Sequence, residues 1–97
     1  MTLFFSVYCL VQVVVDFSAT WCGPCKAIAP VYDAISIEKQ NRNVMFIKVD
    51  VDKNPEIAAR YGVKSMPTFL FLKNRKELDR FSGANIVKLK ETILNLK

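Results

Sequence analysis

The sequence of 97 residues predicts an α/β domain with a mixed central sheet and helices on both faces. Three observations carry this. Two apolar, β-branched runs, at residues 11–17 and 44–51, are each followed by a helical pattern. Two further strand-like runs, at residues 67–73 and 78–82, are separated by a short polar stretch, which calls for an antiparallel hairpin. Finally, Ile86, Leu89, Ile93 and Leu96 fall at helical spacing. The first half alternates strand and helix, which calls for parallel strands joined by helical crossovers, and the hairpin adds antiparallel pairing.

The first strand, "VQVVVDF", is apolar on both faces and reads as central and fully covered. A helix opens near Gly23 and Pro24. Ala27, Ile28, Val31, Ile35 and, less regularly, Ile37 give it one apolar side, and Pro30 should kink it. After "VMFIKVDV", Asn54 is placed to cap a short helix, Pro55 fits its first position and Glu56 its first turn. That helix should run to about Tyr61, with Gly62 as its stop. "PTFLFLK" is the third strand, "NRKE" a turn, and "LDRFS" the fourth strand. Asn85 should cap the last helix.

The totals describe one domain of ordinary globular composition, 52% apolar and 24% charged. No repeat, linker or low-complexity tract divides it. The net charge is +5, but the basic residues are scattered among apolar ones. A solvated surface explains them better than a nucleic-acid site. "LFFSVYCLVQVVVDF" is too short for a spanning helix, and it lacks the basic start and small-residue cleavage site of a signal peptide. The expectation is therefore neither nucleic acid nor membrane as a partner.

The chemistry lies in "SATWCGPCK". Cys22 sits at the mouth of the first helix, near unpaired backbone N–H groups and the positive end of the helix dipole. Both favour its thiolate, the nucleophile of disulfide exchange. Cys25 lies on the same side, one turn deeper. Cys22 would attack a substrate disulfide, and Cys25 would resolve the mixed disulfide. A structural zinc site needs four ligands, and with three cysteines and no histidine one chain cannot supply it. Two inert buried cysteines are the other alternative, but a C-x-x-C at a strand-to-helix junction reads as redox. An odd cysteine count with so close a pair suggests a reducing compartment.

"VVVDFSATWCGPCK", "VDVDKNPEIAARYGVKSMPTFLFLKN" and "FSGAN" resemble the thioredoxin family, and "DFSATWCGPCK" resembles its animal cytosolic members. The match runs from about Val11 to the end. The central Gly23 and Pro24 separate it from glutaredoxins and disulfide isomerases, which usually differ there. The resemblance implies the three-layer thioredoxin-like fold and a protein-disulfide reductase with no bound cofactor. Electrons would come from NADPH through thioredoxin reductase, and disulfide-containing proteins would be the substrates. A cytoplasmic location is implied, with the nucleus as a further one.

By the same resemblance, Asp16 is the family's buried aspartate, which can hold a proton near neutral pH and relay it for Cys25. Lys48 matches a lysine that some members place beside that aspartate. Pro67, after Met66, matches a cis-proline facing the cysteines, which leaves Met66 backbone groups free for an extended substrate. Trp21 would be an apolar contact surface, although a core tryptophan is its rival reading. Gly83 and Ala84 would leave a groove open for the partner chain.

The family usually begins with a strand and a full helix before the valine run. Here the residues before Val11 are too few for both, so that first strand–helix unit is missing or rewritten. Residues 1–10 thus form an atypical segment, expected to lengthen the first strand, and residues 11–97 form the domain. Losing the unit would bare the edge of the strand at 44–51. Cys9 has no family counterpart and reads as a buried, inert thiol. Two functions follow. One is a reductase. The other is a redox-gated binding or accessory module with little turnover of its own.

Overall fold

The structure, a computed structural model, describes residues 11–97. Cys9 and the expected lengthening of the first strand over residues 1–10 lie outside the described residues. The elements are β1 (Gln12–Ser18), α1 (Gly23–Ser36), a 3-10 turn (Lys39–Asn41), β2 (Val44–Asp50), α2 (Pro55–Arg60), β3 (Thr68–Lys73), β4 (Lys76–Ser82) and α3 (Ile86–Asn95). Among the described residues the sheet has four strands in the order β2-β1-β3-β4, so β2 lies at an edge.

β1 is central, as its composition predicts. It pairs parallel with β2, from Gln12↔Val44 to Ser18↔Asp50, and antiparallel with β3. Strand alternation sends Val14 to one face, where Ile28, Tyr32 and Ile35 of α1 and Leu89 and Ile93 of α3 cover it. Val15 and Phe17 face the other way, with Val49 and Leu70, under Tyr61 and Val63 just beyond α2. Apolar cover on both faces makes three layers.

The parallel crossover expected of the first half joins β1 to β2 and does not extend past α2. The helix between β2 and β3 does not make a parallel crossover, because β3 runs antiparallel to β1. The six residues of α2 span only ~9 Å, too little to carry the chain back along a seven-residue strand. Instead β2 ends where β3 begins. Asp50 pairs with Ser18, and Thr68 with Phe17 next to it.

Local signals mostly hold. Asn85 Oδ1 accepts the Lys88 N–H at 3.0 Å and caps α3. Gly62, at φ +65°, ends α2 in a Schellman arrangement. Its N–H donates to Ala59 O at 3.0 Å, and that of Val63 to Ala58 O at 2.9 Å. Asn54 stands at the N-cap position of α2, but its side chain makes no cap hydrogen bond. Its Nδ2 donates backward to Asp50 O at 3.1 Å, because Asp50 organises this loop by accepting the Asp52 N–H at 2.9 Å. The hairpin turn is tighter than "NRKE". Only Asn74 and Arg75 turn, both at positive φ, and β4 starts at Lys76. The register then jumps from Leu72↔Glu77 to Phe71↔Asp79, a bulge at Leu78.

α1 runs without a break through Pro30. Its buried face is Cys25, Ile28, Tyr32 and Ile35. Ala27 is exposed, and Ile37 stands just past the helix end at 84% exposure. Tyr32 replaces them in the stripe. Its ring packs edge-on to Phe46 and tilted to Phe69. Its hydroxyl lies 3.0 Å from Val14 O and 2.9 Å from Ile47 O, so it donates at the seam of β1 and β2. Burial pushes the phenol's pKa up, and the nearby Asp16 pushes it the same way. Tyr32→Phe removes this tie without opening a cavity and should cost about 1–2 kcal/mol. Urea unfolding should show a lower midpoint at unchanged slope. An unmoved midpoint would show that the tie contributes nothing.

Candidate active site

The site forms where β1 ends and α1 begins. After Ser18 the chain turns through Ala19 to Trp21, and the Cys22 N–H donates to Ala19 O at 3.2 Å. Cys22 is the N-cap of α1, in extended conformation at φ −92° and ψ 113°. Its sulfur takes the place of the usual serine or aspartate oxygen and accepts the Cys25 N–H at 3.2 Å. Pro24 stands in the first turn, where its missing N–H would have had no helical partner.

Cys22 and Cys25 are joined as a disulfide with Cα atoms 5.3 Å apart, the span that a C-x-x-C helix start provides. Both residues are 5% exposed and pack with Ala19. Val51 and Met66 pack against them. Cys22 Sγ lies 3.6 Å from Met66 O. In the dithiol form the thiol at Cys22 would have that carbonyl as an acceptor.

The Met66–Pro67 peptide is cis, and Pro67 is buried at the head of β3. Pro67 O accepts the Gly83 N–H at 2.8 Å, which draws the loop after β4 against the cis bond. Gly83 has φ +103°, a conformation that favours glycine, and open space lies where a Cβ would stand. Ala84 and Gly23 are exposed on either side of this surface. Trp21 is 65% exposed rather than in the core. Its Nε1–H donates to Asp52 Oδ2 at 2.8 Å, fixing the indole beside the pair.

Beneath the disulfide lies a cavity of ≈150 Å3, lined by Asp16, Ser18, Ala19, Thr20, Cys25, Lys26, Ala29, Lys48 and Asp50. Asp16 is 3% exposed, and its Oδ1 has no hydrogen-bond partner. Burial raises its pKa from 3.8 to about 6, against the pull of Lys48 and with the help of Asp33. Lys48 is the register partner of Asp16 on β2 and lines the same cavity. Its ammonium, however, pairs with Asp33 on α1, Nζ to Oδ1 at 2.6 Å.

The candidate site residues among the described ones thus gather toward one end of the sheet, and Lys48 is tied to a partner that sequence reasoning missed. Tyr32, Asp33 and Asp52 were also missed. Tyr32 had a signal, since it continues the Ile28–Ile35 stripe at helical spacing. Asp33 and Asp52 had none, because each meets its partner from a separate element. Among the described residues no group of three or more histidine, cysteine or acidic side chains could hold a metal ion, and no helix is long and apolar enough to cross a membrane.

Comparison with known proteins agrees with this geometry. The thioredoxin family model matches residues 7–95. The thioredoxin of Oryctolagus cuniculus is 60% identical over 84 residues, covering 87% of this chain and 78% of that one. The thioredoxin of Ictalurus punctatus is 49% identical over 81 residues, covering 84% and 76%. The crystal structure of Fasciola hepatica thioredoxin superposes with a TM-score of 0.88 at 52% identity, over 99% of this chain and 89% of that one. A structure concerned with the thiol resolving mechanism in yeast mitochondrial 1-Cys peroxiredoxin via glutathione/thioredoxin systems superposes with a TM-score of 0.84 at 35% identity, over 99% and 90%. The chain belongs to the thioredoxin family, as a thiol–disulfide oxidoreductase of the disulfide-reductase type whose active-site pair, Cys22 and Cys25, is in its disulfide state.

Proposed function

We propose that this chain reduces protein disulfides with Cys22 as nucleophile, Cys25 as resolving thiol and Asp16 as the proton relay. The single observation that carries the reading is the buried Asp16 carboxyl, its Oδ1 without a hydrogen-bond partner, in one cavity with Cys25, under a cysteine pair at a helix start. In the dithiol form the Cys22 thiolate attacks one sulfur of a target disulfide. That bond breaks, a Cys22–target disulfide forms, and the first target sulfur leaves as a thiolate that takes a proton from solvent. Asp16, as carboxylate, takes the Cys25 proton through water in the cavity. The Cys25 thiolate attacks Cys22 Sγ, and the second target sulfur leaves and is protonated. The target gains two electrons and two protons, and the chain ends in its disulfide state. A carboxyl that titrates near 6 has both forms accessible near neutral pH, which suits a relay.

Trp21, Gly23, Pro24, Met66, Pro67, Gly83 and Ala84 would form the docking surface. The backbone of Met66 would pair with an extended target segment. Thioredoxin reductase, drawing on NADPH, would restore the dithiol, with no cofactor bound to the chain itself. Proteins with accessible disulfides are the substrate class. The 1-Cys peroxiredoxin connected with one structural neighbour makes peroxiredoxins a candidate group among them. The cytoplasm and the nucleus are the compartments in keeping with this role.

Reduction of insulin by the purified chain, thioredoxin reductase and NADPH tests the reading. Cys22→Ser should reduce turnover to background. Cys25→Ser should do the same while accumulating a Cys22 mixed disulfide, visible on a non-reducing gel. Partner capture that survives Cys22→Ser and Cys25→Ser together would point instead to an accessory binding module.

Asp16 adds a pH signature. Its folded pKa lies above its unfolded value, so between about pH 4 and 6 the folded chain binds more protons than the unfolded one. The contribution of Asp16 to stability should therefore fall as pH rises through that window, and level off above it. At ~1.4 kcal/mol per pH unit, Asp16→Asn should stabilise the disulfide form at pH 8 by roughly 1–3 kcal/mol more than it does at pH 4. Urea unfolding at the two pH values measures the difference. Equal effects at both would mean that the carboxyl is not a buried acid.

A further inference from the structure

The Lys48–Asp33 ion pair stands at the mouth of the Asp16 cavity, and the catalytic chemistry above makes no use of it. Asp16 and Lys48 are direct register partners on adjacent parallel strands, whose backbones are ~4.8 Å apart. Strand partners present their side chains on the same face, and both line the cavity that Cys25 closes. A lysine so placed has a carboxylate within reach of its four-carbon stem. It is turned to Asp33 instead, 2.6 Å away, on the exposed side of α1. Asp16 Oδ1 meanwhile has no partner.

We infer that Asp33 is a positioning residue for the proton relay: it holds the Lys48 ammonium at the cavity mouth and so leaves Asp16 without a bonded cation. The inference rests on the reading of Asp16 as the relay. With Asp33 in place, Lys48 acts on Asp16 only across space, and Asp16 remains a base strong enough to take a thiol proton. With the Asp33 charge removed, the ammonium turns inward and bonds Asp16 as an ion pair, which makes it a poorer base. The other charged or titratable groups around Asp16 are Cys25 and Lys26 on α1, Tyr32 deeper on the same helix, and Asp50 on β2. β3 sets only Phe69 opposite Asp16. Lys48, the strand partner of Asp16, is the cation that is paired, and its partner is Asp33.

The test is a carbon-13 NMR titration of the Asp16 carboxyl in the disulfide form, where neither active-site cysteine titrates. Asp33 is exposed, so Asp33→Asn should fold as the parent does. The Asp16 midpoint should fall from about 6 toward the ordinary carboxylate range in Asp33→Asn. Removing the Asp33 charge also acts on Asp16 directly, so the titration is repeated in a Lys48→Met background. There Asp33→Asn should produce less than half of that fall. An unchanged or raised midpoint in Asp33→Asn overturns the inference, as does a fall in the Lys48→Met background at least half as large. The midpoint reads where Lys48 sits whether or not Asp16 relays a proton. Failure of the relay itself would appear separately, as an Asp16→Asn variant whose mixed disulfide resolves at the parent rate.

Discussion

Everything in this molecule hangs from a strand that has no free side. β1 is bonded on both edges, and all but two of its residues are buried. A strand in that position must be apolar on both faces, and its valines meet the requirement. Asp16 breaks the rule in the middle of the strand. Its neighbours Val15 and Phe17 face the α2 side, so alternation leaves Asp16 on the α1 side, beneath the helix that begins with the cysteines. The same packing that stabilises the sheet buries this carboxyl, leaving it only the small cavity it shares with Cys25.

The site uses two kinds of charge, and burial separates them. The Asp16 carboxyl is shut in, and desolvation favours its protonated form. Asp33 and Lys48 lie at the surface, where an ion pair contributes little to stability because solvent screens it. The pair matters for where it holds a charge. Tyr32 shows the same economy on the other side of α1, tying helix to strands with one hydroxyl two turns below Cys25.

Much of the fold was legible because its signals are local. The valine run, the Pro55 start, the Gly62 stop and the Asn85 cap each act over a few residues, and each appears where it was read. The failures were those of distance and competition. Strand direction after α2 depends on how far a six-residue helix can carry the chain, not on any residue within β3. Asn54 stands at the cap position, but its side chain bonds Asp50 O instead. Asn74 and Arg75 both take positive φ without the glycine that usually announces such a turn, so the turn read as longer than it is.

The sequence by itself determined the chemistry. C-x-x-C behind an apolar strand is a local pattern, and a helix start gives its first cysteine the same N–H donors wherever the helix occurs. It also determined the central strand, since only a strand covered on both faces tolerates so many valines. Tertiary structure decided how the acid and its charges are arranged. Asp16 becomes a buried acid only when α1 closes over β1, because desolvation depends on what lies in space and not on what adjoins it in sequence. Lys48 finds Asp33 rather than Asp16 because a long, exposed side chain settles among partners that only the packing of α1 on β2 brings within its reach.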